Sequence, residues 1–373
     1  MAEQPVRARL VDVAREAGVS KATVSKVLNG RQDLSVRPET RQRVHEVAAA
    51  LGYRPHSGAR ALAGASTHAL ALLVPALNNP TYVTISRGAY QRARELGYLS
   101  LLAEDFDGQE ADDTFNDLVK EGRVDGLLIA SARPNHPLLE TLSRNPVPHV
   151  FLNRAVKDSG RNVTMDVARS SITALDHLHA LGHRVIGHIA GPSGITPSED
   201  RRDAFLRHAA VLGLVAAPVA SGDFTEEGGA CAARELLTPV EGRPQVTALY
   251  TSSLAQAIGA TRAIHERGLR IPEDISLVGN DDLPVAGYLT PPLTTVAMPL
   301  HELGTAAVDA LVAEIQGKPP GDVVVPTEPR LVLRGSTARP GGGGSAGAGG
   351  AGGAGGSTGF GGSGGPAGPG GAS

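Results

Sequence analysis

The chain of 373 residues contains one cysteine, Cys231, no tryptophan and only 3% aromatic residues. A single cysteine cannot form an intramolecular disulfide, which fits a reducing compartment. No apolar run reaches the ~18 residues that a membrane span needs, and the first residues lack the apolar segment of an export signal. We therefore expect a cytoplasmic protein with no membrane partner.

Motifs of common enzyme classes are also missing. There is no nucleophile elbow, no phosphate-binding loop and no dinucleotide-binding fingerprint, because the glycines near residues 126 and 187–191 lack the required spacing. His179 and His183 have the i, i+4 spacing of metal ligands without a third candidate beside them, so we interpret them as a solvated helix terminus. The sequence predicts no enzyme activity, no cofactor and no metal site.

Charge is scarce overall and unevenly distributed. The formal charge is −3, yet residues 1–67 contain 11 Lys and Arg against 6 Asp and Glu, which leaves the rest of the chain acidic. A protein that binds nucleic acid must neutralise phosphates, so this basic segment indicates where DNA would bind. With 41% hydrophobic residues, the chain can also bury more than one core.

Residues 10–28 have the spacing of a helix-turn-helix. Ala14 is small where a second helix would cross, Gly18 allows the tight turn, and Val24 would pin the second helix to the first. Ser20 can cap the second helix, because its hydroxyl can accept the unpaired N–H groups of the first turn.

This pattern leaves Lys21, Ala22, Thr23 and Lys26 on the outer face of the second helix, where they can meet the major groove. Two short amphipathic helices of an unrelated all-α domain have similar spacing, and that alternative stays open. The position of the pattern inside the basic segment favours DNA binding.

Four blocks in order resemble the lactose-repressor (LacI) family of transcription regulators. They are the helix-turn-helix at 10–28, residues 44–63 with Gly52-Tyr53-Arg54-Pro55, residues 181–192, and residues 271–296 with Asp281-Asp282. Together they span residues 10 to about 335. The resemblance implies an all-α helix-turn-helix DNA-binding domain joined to a two-lobed α/β sensor of the periplasmic-binding-protein type.

Domain boundaries follow from changes in pattern. Proline at position 55 is expected to break the third helix, and from Thr67 apolar runs alternate with amphipathic stretches, which predicts parallel sheets covered by helices. Such a length fits two α/β lobes around a cleft. We assign residues 1–52 to the DNA-binding domain, 53–66 to a hinge helix and linker, 67–336 to the sensor and dimerisation domain, and 337–373 to a disordered glycine-rich tail. By resemblance the chain crosses between the lobes near Lys157, Leu293 and Val325.

The resemblance also implies a role for individual residues on DNA. Lys21 and Ala22 match the specificity positions of the recognition helix, and Lys26 is placed to donate to guanine. Supporting or phosphate contacts fall to Ser20, Thr23, Ser25 and Asn29. Leu62 matches a hinge leucine that wedges into the minor groove, although a plain core leucine is the alternative.

The loop before the third helix is about two residues longer than is common. Either Ser35 or Arg37 can flank the helix, with Pro38 at its first position. His56 and Gly58 occupy hinge positions where an asparagine and a better helix former are more usual, so folding of the hinge should depend more heavily on DNA.

The effector cleft implied by the resemblance is lined by polar and aromatic residues: Asn79, Tyr82, Asn153, Arg154, Arg201, Phe224, Ser253 and Asp281. Arg201 would clamp ligand oxygens, Phe224 would stack on a flat face, and Asp281 would accept ligand hydroxyls. Asp281 could instead cap a turn, and Tyr82 and Phe224 could simply pack in a core. Ser252-Ser253-Leu254 replaces a frequent Asn-Asp pair, which puts sugar specificity in doubt.

The resulting hypothesis is a homodimeric transcriptional repressor that binds a near-palindromic double-stranded operator and responds to a small effector, with sugars as the leading class. Whether the effector releases or promotes DNA binding stays open. The alternatives are a solute-binding protein of a sugar transporter, an enzyme of a sugar pathway, and a regulator that responds to a nucleobase or to no small molecule.

Overall fold

The computed structural model describes residues 8–28, 36–53, 66–105, 122–133, 137–144, 147–241 and 245–341. Asn29, Leu62 and the stretch 342–373 of the predicted tail lie outside the described residues, as do the hinge positions 54–65. No helix of the described ranges is long and apolar enough to span a membrane.

Three helices form the N-terminal domain: α1 (Leu10–Ala17), α2 (Lys21–Leu28) and α3 (Pro38–Ala50). They enclose a small core of their own, made of Val13, Ala14, Ala17, Val24, Val27, Val44 and Ala48. Gly18 has φ +66°, and the N–H of Val19 donates to the carbonyl of Ala14, so the tight turn forms at the predicted glycine.

Of the two residues predicted to flank the start of the third helix, Ser35 and Arg37, it is Arg37 that precedes Pro38 at the first helical position. Its end differs from the expectation that Pro55 breaks it. Gly52 has φ +61°, and the N–H of Tyr53 donates to the carbonyl of Ala48 at 2.9 Å. A left-handed glycine therefore terminates the helix before proline has any influence.

The first sheet of the sensor contains six parallel strands in the order β11-β5-β4-β3-β1-β2. Its strands are β1 (Ala69–Val74), β2 (Leu99–Glu104), β3 (Gly126–Ile129), β4 (His149–Leu152), β5 (Asn162–Thr164) and β11 (Val323–Val324). Helices α4 (Pro80–Glu95), α5 (Pro137–Arg144) and α10 (Leu300–Ile315) accompany it. We call this unit the N-lobe.

The second sheet has the order β12-β10-β9-β8-β6-β7 and is parallel except for the antiparallel pair β10 and β12. Its strands are β6 (Ile186–Ala190), β7 (Val219–Ser221), β8 (Ala248–Thr251), β9 (Ser276–Asn280), β10 (Thr294–Ala297) and β12 (Arg330–Val332). The helices are α6 (Val167–Ala180), α7 (Thr196–Val211), α8 (Glu226–Leu236), α9 (Leu254–Glu266) and a 3-10 turn (Pro284–Tyr288). We call this unit the C-lobe.

The chain passes between the lobes three times, as the resemblance implied, but two of the three positions were wrong. The first passage follows β5 at residues 165–166 rather than Lys157, and the second follows β10 at residues 298–299 rather than Leu293. Leu293 itself is buried, and its N–H donates to Ala286 within the C-lobe. The third passage, at residues 325–329, agrees with the expected position near Val325.

The C-terminal end of the sensor is fastened by a buried histidine. His183 is 1% exposed, and its ring bonds to Thr247, to Ser276 and, through Nε2 at 2.9 Å, to the carbonyl oxygen of Ala338. The interpretation of His183 as part of a solvated helix terminus is therefore wrong. Residues 337 and 338 belong to the sensor and not to the tail predicted to begin there.

Helices α4 and α10 approach each other through glycine. A Cβ atom on Gly88 would overlap the carbonyl oxygen of His301, and a Cβ on Gly304 would overlap the carbonyl oxygen of Ile85. Both carbonyl oxygens belong to the backbone and cannot rotate away. Only glycine therefore fits at these two positions of the helix pair.

We predict that Gly88→Ala and Gly304→Ala each lower the free energy of unfolding by about 1–3 kcal/mol, because the added methyl group forces the two helices apart. Gly321→Ala is the control, since a Cβ at Gly321 meets open space and needs no unusual backbone angle. Urea denaturation of the full chain measures the change. Equal denaturation midpoints for all three variants and the wild type would contradict the prediction.

Candidate functional site

The exposed face of α2 is the first candidate site. Lys21, Ala22 and Lys26 are exposed on it, whereas Val24 and Val27 are buried on the opposite face. A short helix with two lysines on its free surface, held by a separate core, offers positive charge and hydrogen-bond donors to an acidic partner.

Hydroxyl groups organise the start of this helix. Ser20 Oγ accepts the backbone N–H of Thr23 at 3.1 Å and lies 2.9 Å from Thr23 Oγ1. Ser20 caps the helix as predicted. Thr23, which was predicted on the outer face, is half-buried, and so is Ser25.

One supporting residue escaped the sequence analysis. Arg43 of α3 donates from Nε to the carbonyl oxygen of Ala17 at 3.1 Å, at the C-terminal end of α1. Cations are favourable at helix C-termini, so this contact stabilises the angle between α1 and α3. No local spacing connects residues 26 positions apart, which is why the sequence did not indicate the pair.

The second candidate site is a cleft between the two lobes, with about 400 Å³ of space when its open mouth is included. All eight residues predicted from the resemblance line it. The lining consists of Asn79, Thr81, Tyr82, Asn153, Arg154, Met165, Ile195, Pro197, Arg201, Phe224, Ser252, Ser253 and Asp281. The sequence analysis did not single out Thr81, Met165, Ile195 and Pro197 as lining residues.

The N-lobe contributes residues at the carboxyl ends of β1 and β4. Asn79 caps α4, since its Oδ1 accepts the N–H of Thr81 at 3.0 Å. Asn153 has φ +66°, a conformation that asparagine tolerates, and its amide lies 3.5 Å from the hydroxyl of buried Tyr82.

A direct hydrogen bond joins the lobes across the cleft. Thr81 Oγ1 of the N-lobe donates to Asp281 Oδ2 of the C-lobe at 2.8 Å, and Asn280 donates to the other carboxylate oxygen at 2.9 Å. Burial raises the pKa of Asp281, while nearby Arg201 and these hydrogen bonds act in the opposite direction. The carboxylate thus contacts the facing lobe rather than capping a turn, which was the alternative for Asp281.

Two guanidinium groups enter the same cleft from opposite lobes. Arg154 is 8% exposed and donates from NH1 to the carbonyl of Ser131 at 3.5 Å. Arg201 is 5% exposed and donates from NH1 to the carbonyl of Pro197 at 3.4 Å. In the described part of the chain, the buried Nε atom of each has no hydrogen-bond partner.

The ring of Phe224 packs against Gly191, and Gln256 holds the loop that carries Phe224. It lies on Gly191, where any Cβ would overlap the ring. Buried Gln256 donates from Nε2 to the carbonyl oxygens of Ala190, Gly222 and Asp223 at 2.9–3.2 Å. Phe224 therefore faces the cleft in a fixed position and is not a core residue.

Behind the cleft, a histidine is stacked between two aromatic rings. His188 lies 4.8 Å from Phe205 and 5.0 Å from Tyr250, measured between ring centroids, and its Nδ1 lies 3.1 Å from the carbonyl oxygen of Tyr250. Complete burial lowers the pKa of His188 to about 3. The described residues contain no cluster of three or more side chains suited to a metal ion.

Comparison with known proteins adds a second line of findings. Residues 9–56 match the model of bacterial regulatory proteins of the lacI family, and residues 175–337 match that of periplasmic-binding-protein-like domains. A ribose operon repressor of Halalkalibacterium halodurans is 33% identical over 326 residues, which cover 87% of this chain and 96% of that protein.

Two solved structures are similar over most of the chain. The Lac repressor dimer bound to operator and the anti-inducer ONPF has a TM-score of 0.75 at 30% identity, and the match covers 89% of this chain and 99% of that one. The complex of the transcriptional regulator CelR with cellobiose has a TM-score of 0.66 at 31% identity, with coverage of 88% and 100%.

The buried histidine predicts a pH dependence of stability. Between about pH 6.5 and 3 the unfolded chain binds a proton at His188 that the native protein does not, so stability falls as the pH is lowered through this range. One such group contributes up to about 1.4 kcal/mol per pH unit.

We expect His188→Asn to reduce the slope of unfolding free energy against pH, since asparagine keeps a donor for Tyr250 but does not titrate. The exposed His265→Asn is the matched control and should leave the slope unchanged. Urea denaturation at pH 7.5, 6.0 and 5.0 measures it. The same slope in His188→Asn as in the wild type would show that His188 titrates normally.

Proposed function

Because the chain belongs to the LacI family of bacterial regulatory proteins, we propose that it is a transcriptional repressor whose affinity for operator DNA is set by a small effector in the interlobe cleft. The observation that carries the proposal is the combination, in one chain, of an exposed basic recognition helix and a polar cleft between two lobes. The relatives in hand are regulators and repressors of transcription. Such a protein acts on DNA in the cytoplasm, without catalysing a reaction.

The DNA contacts that we propose are those of α2 and the hinge. On α2, the exposed face carries Lys21, Ala22 and Lys26, which would reach base edges in the major groove. Backbone phosphates would be contacted by Ser20, Thr23, Ser25 and Asn29, and Leu62 would enter the minor groove. We assign residues 1–52 to DNA binding, 53–66 to the hinge, and the following chain through residue 340 to the sensor.

The effector that we propose is a sugar or a close derivative. The cleft combines hydrogen-bonding groups on both lobes with one aromatic face at Phe224, which suits a small polyhydroxylated ring. Among similar proteins, one is a ribose operon repressor and another was solved with cellobiose. The proposed contacts are Asn79, Tyr82, Asn153, Arg154, Arg201, Phe224, Ser253 and Asp281.

Regulation would follow from lobe closure. An effector that binds both lobes at once favours the closed cleft, and the hydrogen bond from Thr81 to Asp281 is a contact that exists only while the lobes are together. A shift of the N-lobes changes the separation of the hinges and hence the fit to DNA.

Two such chains would bind one near-palindromic operator as a homodimer. Support comes from a surface of the N-lobe formed by α4 and β2, where several large apolar side chains are exposed: Val83, Tyr90, Leu99, Leu101 and Leu102. Contiguous apolar surface of this kind is typical of protein interfaces. The similar Lac repressor was solved as a dimer on operator.

The DNA-binding proposal predicts the behaviour of a single lysine. Lys26→Ala should weaken binding to a DNA sequence that the wild type selects from a random pool by about 1–3 kcal/mol, and relax the preference at one base pair in each half-site. Random DNA should be affected less. Lys318→Ala, which removes an exposed lysine of the sensor, is the control. Fluorescence anisotropy at fixed salt measures the affinity of each variant for selected and for random DNA. If Lys26→Ala weakened binding to both by the same factor, Lys26 would not read a base.

The effector proposal predicts loss of response without loss of DNA binding. Asp281→Asn keeps the shape and tolerates the φ of +70° at this position, but removes the charge. We expect selected DNA to bind as in the wild type, while the concentration of a responsive sugar needed for a half-maximal effect rises by about 10-fold or more. D-ribose and cellobiose are the first probes, and Asp203→Asn is the control. An unchanged response in Asp281→Asn would remove this carboxylate from the site.

A further inference from the structure

We propose that the effector of the interlobe cleft carries an anionic group, a phosphate ester or a carboxylate, which binds between Arg154 and Arg201. The inference rests on the proposed function, since it concerns the ligand of the same cleft. It narrows the class from sugars in general to sugar phosphates or sugar acids.

The first observation is the state of the two guanidinium groups. Both are more than nine-tenths buried, and each makes one long hydrogen bond, to a neutral carbonyl oxygen. Their Nε atoms are sealed from solvent and have no acceptor among the described residues. A buried charge with so few hydrogen bonds is costly, so the parts of the two guanidinium groups that line the cleft need an acceptor that the described residues do not supply.

The second observation is the balance of charge. Of the described residues that line the cleft, Asp281 is the only carboxylate, against two arginines. Its oxygens already accept from Thr81 and Asn280, and Arg201, the nearer of the two arginines in charge interaction, makes no hydrogen bond to it. Asp105 accepts a hydrogen bond from Ser131 behind Arg154 and does not line the cleft. The walls of the cleft therefore carry a net positive charge.

The third observation is the orientation of the helices. Residues at or beside the N-termini of α4, α7 and α9 line the cleft, namely Asn79, Ile195 and Ser253. The N-terminus of a helix bears a partial positive charge, so all three add to the potential of the arginines. The full positive charge, however, comes from the two side chains.

A neutral polyol satisfies this site poorly. Its hydroxyls can accept hydrogen bonds, but closure would leave an uncompensated positive charge in a desolvated space. A phosphate or carboxylate supplies anionic oxygens that match the planar guanidinium fork and form shorter, stronger bonds. Phe224 and Met165 provide apolar walls for the carbon skeleton of the same molecule.

The test compares matched compounds on the full-length protein: D-ribose with D-ribose 5-phosphate, D-glucose with D-glucose 6-phosphate, and D-glucose with D-gluconate. Inorganic phosphate is the minimal anion. Calorimetry gives affinities, and anisotropy with selected DNA gives the response. We expect the anionic member of at least one pair to bind about 10-fold more tightly or better than its neutral partner. The pairs also distinguish phosphate from carboxylate.

Arg154→Gln and Arg201→Gln should each abolish this advantage, and the lysine variants at the same positions should retain part of it. Arg202→Gln is the matched control, since Arg202 follows on the same helix, pairs with Asp203 and does not line the cleft. Thermal unfolding and binding to selected DNA verify that each variant is folded.

Neutral compounds that bind as tightly as the anionic ones in every pair would overturn the inference, as would an advantage that survives in both glutamine variants. No binding of any anionic compound, inorganic phosphate included, would overturn it too. A protein that binds selected DNA and responds to a neutral sugar keeps the proposed function and loses only the anionic ligand. Failure of the wild type to bind any DNA sequence would contradict the proposed function itself.

Discussion

Parallel strand pairing is the constraint on which the sensor depends. In a parallel sheet every strand ends at the same edge, so the loops that follow the strands meet there. Asn79 follows β1, Asn153 follows β4, and Asp281 follows β9. Because the two sheets turn these edges toward each other, residues that are 200 positions apart, such as Thr81 and Asp281, form a hydrogen bond.

Burial then decides what the charged and polar groups near that edge can do. His188 stays neutral because its surroundings exclude water, and the hydrogen bond to the carbonyl oxygen of Tyr250 only partly offsets this effect of burial on its pKa. Arg154 and Arg201 remain charged in a similar environment, since a guanidinium does not lose its proton under such conditions. Burial therefore keeps His188 uncharged, whereas Arg154 and Arg201 stay charged and need a hydrogen-bond acceptor.

The family and the fold class could be predicted from local patterns, namely helix-turn-helix spacing and apolar runs of strand length, and the cleft residues could be predicted from the resemblance to the family. Thr81 and Gln256 could not be predicted in this way. Their partners lie 200 and 33–66 residues away, and no spacing encodes such a pair.

Corrections to the predicted boundaries have a common physical cause. Gly52 ends α3 before Pro55 can do so, and Ala338 is held by His183 beyond the predicted start of the tail. In the first case one backbone conformation ends a helix, and in the second a buried hydrogen bond holds a segment against the sensor. Composition over a window of residues cannot locate such a point.

The interleaving of the two lobes along the chain has a consequence for synthesis. The N-lobe takes α10 and its edge strand β11 from residues 300–324, after most of the C-lobe has been made. At a translation rate of about 5–20 residues per second, the early strands of the N-lobe wait many seconds on the ribosome for the helix that covers them. Until then the strands that α10 covers, β3, β4 and β5, lack that helix, and neither lobe is complete if translation stops early.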